Sequence, residues 1–168
     1  MTLHRDYGGQ ASQERPDGLA PLAFLLGTWR GEGSGGYPTV EDFTYAEELT
    51  FSHFGKPLLV SVQRTRNLAD GQPSHAETGF WRLAAPDTVE LVAAHPTGHV
   101  EVAEGTLQGT TIDLVSTAVA ATSTASDVSR LERSISVDGD VLRYRLDMAA
   151  VGEPLSRHLE AELHRVFL

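Results

Sequence analysis

Turn-forming residues recur along this chain at intervals of about ten from Thr28 onward, and this spacing limits the fold more than any other feature. Gly, Pro and Asp dominate these breaks, as they do in tight turns between strands. Each interval has room for one strand and little else. The predicted breaks are residues 31–36, 55–57, 70–73, 85–87, 96–98, 108–109, 138–139 and 152–154.

The segments between the breaks have the composition of β-strands, with many Val, Ile, Thr and aromatic residues. Residues 141–148 show the alternation most clearly. Leu142, Tyr144, Leu146 and Met148 fall on one face, whereas the residues between them include two arginines and an aspartate. One face of this strand is therefore predicted to be buried and the other to be exposed to solvent. The whole pattern gives nine or ten strands.

No segment after residue 27 has helical periodicity, so parallel crossover connections are not expected. The strands are therefore expected to form an antiparallel meander. Both a two-layer sandwich and a closed up-and-down barrel are compatible with that connectivity. Closure is favoured for about ten sequential strands because it removes exposed edges. The sequence thus predicts an all-β fold, a single closed antiparallel β-barrel with an internal cavity wide enough for a ligand.

Two predictions concern the N-terminal part of the chain. Residues 1–18 lack a hydrophobic period and are expected to form a flexible tail, so that a single domain spans residues 19–168. The apolar stretch 19–26 predicts a short helix, with Pro21 in its first turn and Gly27 as its stop.

Composition excludes several classes of function. The chain has 168 residues and a formal net charge of −10, which argues against nucleic-acid and anionic-membrane partners. It contains no cysteine, so disulfides, thiolate metal sites and cysteine nucleophiles are excluded. It shows neither a secretory signal nor an apolar run of about 20 residues, and a cytoplasmic location is expected.

The most distinctive motif is the glycine-rich stretch that follows the predicted helix. Gly27, Gly31, Gly33 and Gly35 leave one face of a strand almost without side chains, apart from Trp29. Such a face lets the strand bend or lets another group approach its backbone. It is a weak phosphate-binding motif, because no Lys-Ser/Thr pair and no helix follow it. The structural interpretation is a bent first strand, with Trp29 closing one end of the barrel.

Together with motifs farther along the chain, this stretch resembles the nitrobindin family of small heme-binding β-barrels. The resemblance covers residues 19–168 and implies a calycin/lipocalin-like barrel related to fatty-acid-binding proteins. It is carried by Gly27-x-Trp29-x-Gly31-x-Gly33 with Tyr37-Pro38-Thr39, and by the segments 51–53, 55–57, 75–80, 96–98, 100–102, 148–149 and 158–159.

The resemblance implies a heme b protein, with one heme per chain, whose ferrous form binds nitric oxide and whose ferric form isomerises peroxynitrite to nitrate. His158, which precedes a leucine after a Pro-containing turn, matches the heme-ligating histidine. His75, Met148, Thr39 and His95 match or adjoin positions that line the heme pocket. Ser74 stands where plant members carry methionine, which makes the pocket wall less apolar there. The resemblance also favours a homodimer.

Strict alternation conflicts with this role for His158. In a regular strand His158 shares a face with Glu160, Glu162 and His164, whereas Leu159 starts the apolar face. A β-bulge near residues 156–159 would turn His158 inward, and we expect one there. The alternatives are a heme at the barrel mouth, or a histidine that is simply exposed.

Two rival functions use the same barrel. A carrier of a small hydrophobic ligand such as a fatty acid would need a buried arginine, and an interaction protein would need no ligand. Taken singly, the seven histidines are ordinary, and His95 and His99 flank a predicted turn where exposed imidazoles are common. The sequence shows no obvious pair of carboxylates for acid–base catalysis. The arginines considered for the carrier are Arg64, Arg66, Arg82, Arg143 and Arg145.

Overall fold

The computed structural model describes residues 14–167, and in it the strands form one closed antiparallel barrel. Each strand pairs with the next along the chain, and β1 pairs with β10 to close the barrel. The predicted all-β up-and-down barrel is therefore confirmed. The strands are β1 (Gly27–Tyr37), β2 (Val40–Ser52), β3 (Leu58–Asn67), β4 (Pro73–Ala85), β5 (Thr88–His95), β6 (His99–Gln108), β7 (Thr111–Ala121), β8 (Val128–Asp138), β9 (Val141–Ala150) and β10 (Ser156–Val166).

A 3₁₀ helix, Asp17–Leu25, covers one end of the barrel. Its Leu19, Leu22 and Leu25 are fully buried in the core. Trp29 of β1 donates a hydrogen bond to the carbonyl oxygen of Leu25 at 2.8 Å, and the Arg165 guanidinium lies 4.0 Å from the centre of its indole ring. The predicted helix is found, but it begins at Asp17, so Pro21 lies inside it and not in its first turn, and Trp29 closes this end of the barrel as expected. The predicted tail, residues 1–18, lies for the most part outside the described residues.

The glycines of β1 do not interrupt the strand, so the break predicted at residues 31–36 is wrong. The strand continues to Tyr37, and the turn falls at residues 38–39. Gly31, Gly33 and Gly35 face the interior, where an added Cβ would collide with the backbone of β10 or with the rings of Tyr45 and Phe43. The glycines therefore let β2 and β10 approach β1 closely, which is one of the two roles expected for a strand face without side chains.

The ladder between β7 and β8 is short, and it leaves a gap in the barrel wall at the end opposite the helix. Only residues 111–115 of β7 pair with β8, although β7 remains paired with β6 as far as Ala121. The hydroxyl of Ser116, which accepts a hydrogen bond from the Leu131 amide at 2.9 Å, spans the start of the gap. Small side chains follow on β7, residues 117–121. No helix in the described part of the chain is long and apolar enough to cross a membrane.

Candidate functional site

The expected β-bulge lies at His158. Arg157 pairs with Asp147 of β9 and Leu159 pairs with Leu146, so His158 is the extra residue between two successive pairs. A bulge of this kind places two neighbouring residues on the same side of the strand. His158 consequently turns to the interior together with Leu159, and its ring lies edge-on to Tyr37 and Phe43, with centroids 5.6 and 6.5 Å away.

The orientation of the His158 ring is set by the backbone of β1. Its Nδ1 lies 3.0 Å from the carbonyl oxygen of Gly36. A carbonyl oxygen can only accept a hydrogen bond, so Nδ1 carries the proton and Nε2 keeps its lone pair in the neutral ring. A neutral histidine with this tautomer and a fixed ring orientation is a suitable axial ligand for a metal.

Tyr37 anchors the strands on both sides of this histidine. Its hydroxyl accepts a hydrogen bond from the Ala150 amide at 2.8 Å and lies 3.2 Å from the carbonyl oxygen of Met148. Tyr37 is buried, so these contacts to β9 are sheltered from water. The end of β1 is thereby tied to the end of β9 across the start of β10, where the bulge lies.

The other predicted pocket residues are spread over the same end of the barrel. Met148 is half-buried on the inner face of β9, opposite the buried Leu131. His75 is half-buried on β4, and burial, with smaller contributions from His95, Arg133 and His158, lowers its pKa against the effect of Glu77. Thr39 lies exposed in the turn between β1 and β2. The structure thus brings His75, Met148 and His158 to the same interior, whereas Thr39 stands at its rim.

The expectation of exposed imidazoles on either side of the β5–β6 turn is wrong. Only 10% of the His95 side chain is exposed, and His99 is buried. His99 uses both ring nitrogens, at 2.9 Å from the Thr97 hydroxyl and 2.7 Å from the carbonyl oxygen of Ser126, and so ties the turn to the loop before β8. His95 faces inward between Glu77 and Glu101, at 3.5 and 3.6 Å.

A buried polar layer lies beneath these residues, and it corrects the expectation that no carboxylate pair is present. Its central contact is Arg133, which donates to Glu77 at 2.7 Å and, through two nitrogens, to Glu101 at 2.7–3.2 Å. Burial opposes the charges on Arg133 and Glu101. For Arg133 the two carboxylates outweigh it and raise the pKa; for Glu101 the Arg133 guanidinium and His95 outweigh it and hold the pKa at about 2.

Glu47 forms the other half of the layer and has only neutral hydrogen-bond donors. The hydroxyl of Tyr144 donates to it at 2.5 Å and the amide of Gln63 at 2.8 Å. Burial, assisted by the charge of Glu77, raises the pKa of Glu47 to about 7 in spite of these donors. The signal for such residues was present in the sequence, because each one is a charged residue on the otherwise apolar face of a strand: Glu47, Glu77, Glu101 and Arg133.

A groove of about 730 Å³ lies elsewhere, along β1, β8, β9 and β10. It is lined mainly by charged and small side chains, and two of its three arginines are paired: Arg143 with Glu162 and Arg157 with Glu160, each at 2.8 Å. Both pairs are about half exposed. Of the predicted site residues, the structural glycine Gly33 lines this groove, whereas none of the residues predicted to line the heme pocket does.

Comparisons with known proteins show which family the chain resembles. The family model described as the THAP4-like, heme-binding beta-barrel domain matches residues 18–165. The protein named Peroxynitrite isomerase 2 from Mycobacterium marinum is 53% identical over 154 residues, which is 89% of this chain and 95% of that protein. The protein named Peroxynitrite isomerase from Nocardia farcinica is 52% identical, over 89% and 91% of the two chains. The crystal structure of Rv2717c from M. tuberculosis superposes with a TM-score of 0.86 at 45% identity and covers 92% of this chain and all of that one.

Proposed function

This chain belongs to the family of THAP4-like, heme-binding beta-barrel domains, and from that premise we propose that it binds one heme b through His158 and isomerises peroxynitrite to nitrate. Family membership confirms the resemblance seen in the sequence motifs. The proposed activity follows the names of relatives that are about half identical over most of their length. Binding of nitric oxide by the ferrous form is part of the same proposal.

The observation that carries the proposal is the bulge at His158 together with its hydrogen bond to Gly36. The two features turn the imidazole inward and leave Nε2 available, which is what an axial heme ligand requires. Strict alternation in β10 would instead place the ring in solvent beside Glu160. Other ladders of the barrel also contain register shifts, but the shift in β10 is the one that turns a histidine inward.

The surroundings of His158 also include apolar side chains that a large, flat ligand would contact. Phe43, Met148 and Leu131 supply apolar surface from three different strands. The gap between β7 and β8 lies at the same end of the barrel and is bordered by small side chains, so bulky residues do not close it. The polar layer beneath is paired internally through Arg133 and through the donors to Glu47.

Heme, when bound, would supply the iron at which peroxynitrite is rearranged. His158 would hold that iron, and the Gly36 carbonyl oxygen would keep the imidazole oriented and strengthen it as a donor. Met148 would contribute surface without transferring protons. Because burial lowers the pKa of His75, this ring stays neutral at pH 7 and adds no positive charge to the pocket.

The rival hypothesis of a fatty-acid-type carrier finds less support. It requires a buried arginine that is free to meet a carboxylate ligand. Arg133, whose side chain is 12% exposed, is buried on the inner face, but Glu77 and Glu101 already occupy it. Arg143, one of the arginines considered for this role, is exposed and paired with Glu162. A ligand carboxylate would therefore have to displace an existing ion pair.

Titration of the heme-free protein with hemin tests the proposal. We expect one hemin per chain and a Soret band typical of histidine ligation, and we expect His158→Ala to weaken binding at least about 10-fold and change the band. His164→Ala is the matched control, because His164 lies on the same strand but its side chain is 62% exposed. Stopped-flow decay of peroxynitrite, with the yield of nitrate, should follow hemin occupancy.

Two results would contradict the proposal. The first is a Soret band and hemin affinity that are the same in the wild type and in His158→Ala. The second is a wild-type preparation that binds no hemin and instead yields a lipid to mass spectrometry after organic extraction, which would favour the carrier.

A further inference from the structure

Three potential metal ligands converge on the inner wall where β4 meets β5. His75 and Glu77 lie two residues apart on β4 and so share its inner face. Thr78 pairs with Ala94, which places Glu77 opposite His95 on β5. One ligand atom from each of the three residues lies within 4.8 Å of the other two, and the rings of His75 and His95 have centroids 5.7 Å apart.

These three side chains are unusually poor in hydrogen bonds for their burial. Nδ1 of His95 lies 3.5 Å from Glu77, and its buried Nε2 lies 3.6 Å from Glu101, beyond hydrogen-bond distance, and has no hydrogen-bond partner. Native proteins rarely leave a buried polar atom unpaired, so such an atom calls for an explanation. Among the described residues, only Arg133 donates a hydrogen bond to the Glu77 carboxylate. It donates to Oε2, so Oε1 accepts none.

The charge of the surroundings favours a cation. Glu77 and Glu101 each carry one negative charge and Arg133 carries one positive charge, so the three together leave one negative charge when the imidazoles are neutral. Arg133 is attached to Glu101 by three of its four contacts and reaches Glu77 by one. Its position is therefore fixed mainly by Glu101, and a second partner for Glu77 would not free it.

We propose that His75, Glu77 and His95 form a binding site for a divalent first-row transition metal ion. Two imidazoles and one carboxylate are the ligand set of many catalytic zinc and non-heme iron sites, which keep further coordination positions open. The oxygen-preferring ions Mg²⁺ and Ca²⁺ fit this set less well. The site uses neither His158 nor the Gly36 contact, but it shares His75 and His95 with the residues expected to line the heme pocket.

Cobalt binding by the full-length chain tests this site, because Co²⁺ replaces Zn²⁺ and Fe²⁺ and absorbs visible light. Protein treated with a chelator is titrated with Co²⁺ in its heme-free and hemin-loaded forms, and the heme-free form is also titrated with Zn²⁺ by calorimetry. We expect one Co²⁺ per heme-free chain with visible bands of imidazole and carboxylate coordination. His95→Gln and Glu77→Gln should each weaken binding at least about 10-fold.

His164→Gln is the matched control. His164 lies 3.4 Å from Glu162 in an exposed histidine–carboxylate pair, and its loss should leave Co²⁺ affinity unchanged. His95→Gln is the decisive variant if Glu77→Gln fails to fold, because His95 holds no ion pair with Arg133. Near-ultraviolet circular dichroism verifies folding. His158→Ala should keep Co²⁺ binding even where it loses hemin, which separates the two proposals.

The inference is wrong if the heme-free wild type binds no Co²⁺, or if His95→Gln binds it as tightly as the wild type. Loss of the bound Co²⁺ in His164→Gln or in His158→Ala would place the ion elsewhere and would also overturn the inference. Failure of hemin to bind to a chain that still takes up Co²⁺ at this site would refute the heme proposal alone.

Discussion

Glu47 is a carboxyl group held inside the barrel by two neutral donors, Tyr144 and Gln63. Burial raises its pKa to about 7, whereas in the unfolded chain it would titrate near the usual value of about 4.5. The folded protein therefore binds a proton between about pH 4.5 and 7 that the unfolded chain has lost. By linkage, the contribution of Glu47 to the free energy of unfolding falls as pH rises through this window. Above the window the folded protein bears the whole cost of burying the charged carboxylate.

Replacing Glu47 with Gln should remove this penalty while keeping the shape of the side chain. We expect Glu47→Gln to be more stable than the wild type at pH 8 by roughly 2 kcal/mol, and the difference to shrink toward pH 5. Urea unfolding from pH 5 to 8 measures it, and subtracting the two curves cancels the contributions of other groups. Glu48→Gln is the control, because Glu48 faces outward and pairs with Arg30. A difference independent of pH would show that Glu47 titrates normally.

At the scale of secondary-structure elements, β1 depends on having no side chain where it crosses β10. A Cβ added at Gly31 would overlap the carbonyl oxygen of Glu162, and that carbonyl belongs to the backbone of the paired strand. Neither group can move without disturbing the ladder. We expect Gly31→Ala to lower the free energy of unfolding by about 3 kcal/mol, as overpacking in a rigid core does.

Gly109→Asn provides the comparison for Gly31→Ala. Gly109 has a φ of 61° in the β6–β7 turn and nothing within 4 Å of an added Cβ. Asn tolerates this left-handed conformation, so the cost should stay within about 1 kcal/mol. Denaturant unfolding of both variants distinguishes steric exclusion from a general intolerance of changes at glycine. Equal losses in the two variants would contradict the role given to β1.

Alternation along the strands made the fold predictable, and departures from alternation made the site harder to predict. The pattern of residues 141–148 gave the correct inner face of β9, because a strand with one wet face must alternate. The bulge at His158 could be expected only because a functional role required it. Glu77, Glu101 and Arg133 were missed because their mutual pairing joins β4, β6 and β8, and such contacts are invisible until the register of the strands is known.

On the scale of the whole molecule, the two ends of the barrel have different tasks. The end covered by the helix is apolar and well packed, with Leu19, Leu22, Leu25 and Trp29 fully buried. The opposite end holds the bulge, the gap between β7 and β8, and the three potential metal ligands. The buried polar layer lies between them. This division predicts that stability and ligand binding can be altered separately.

Leu22→Ala and Leu131→Ala test that separation with the same chemical change at opposite ends. Leu22 is completely buried under the helix, and its truncation should lower the free energy of unfolding by about 3 kcal/mol through cavity formation. The affinity of Leu22→Ala for hemin, measured where the variant remains folded, should equal that of the wild type.

Leu131 lies beside Met148 at the open end, so its truncation should weaken hemin binding several-fold and cost less stability. If Leu22→Ala weakened hemin binding as much as Leu131→Ala, the two ends would be coupled through the polar layer, and the barrel would respond to its ligand as one unit.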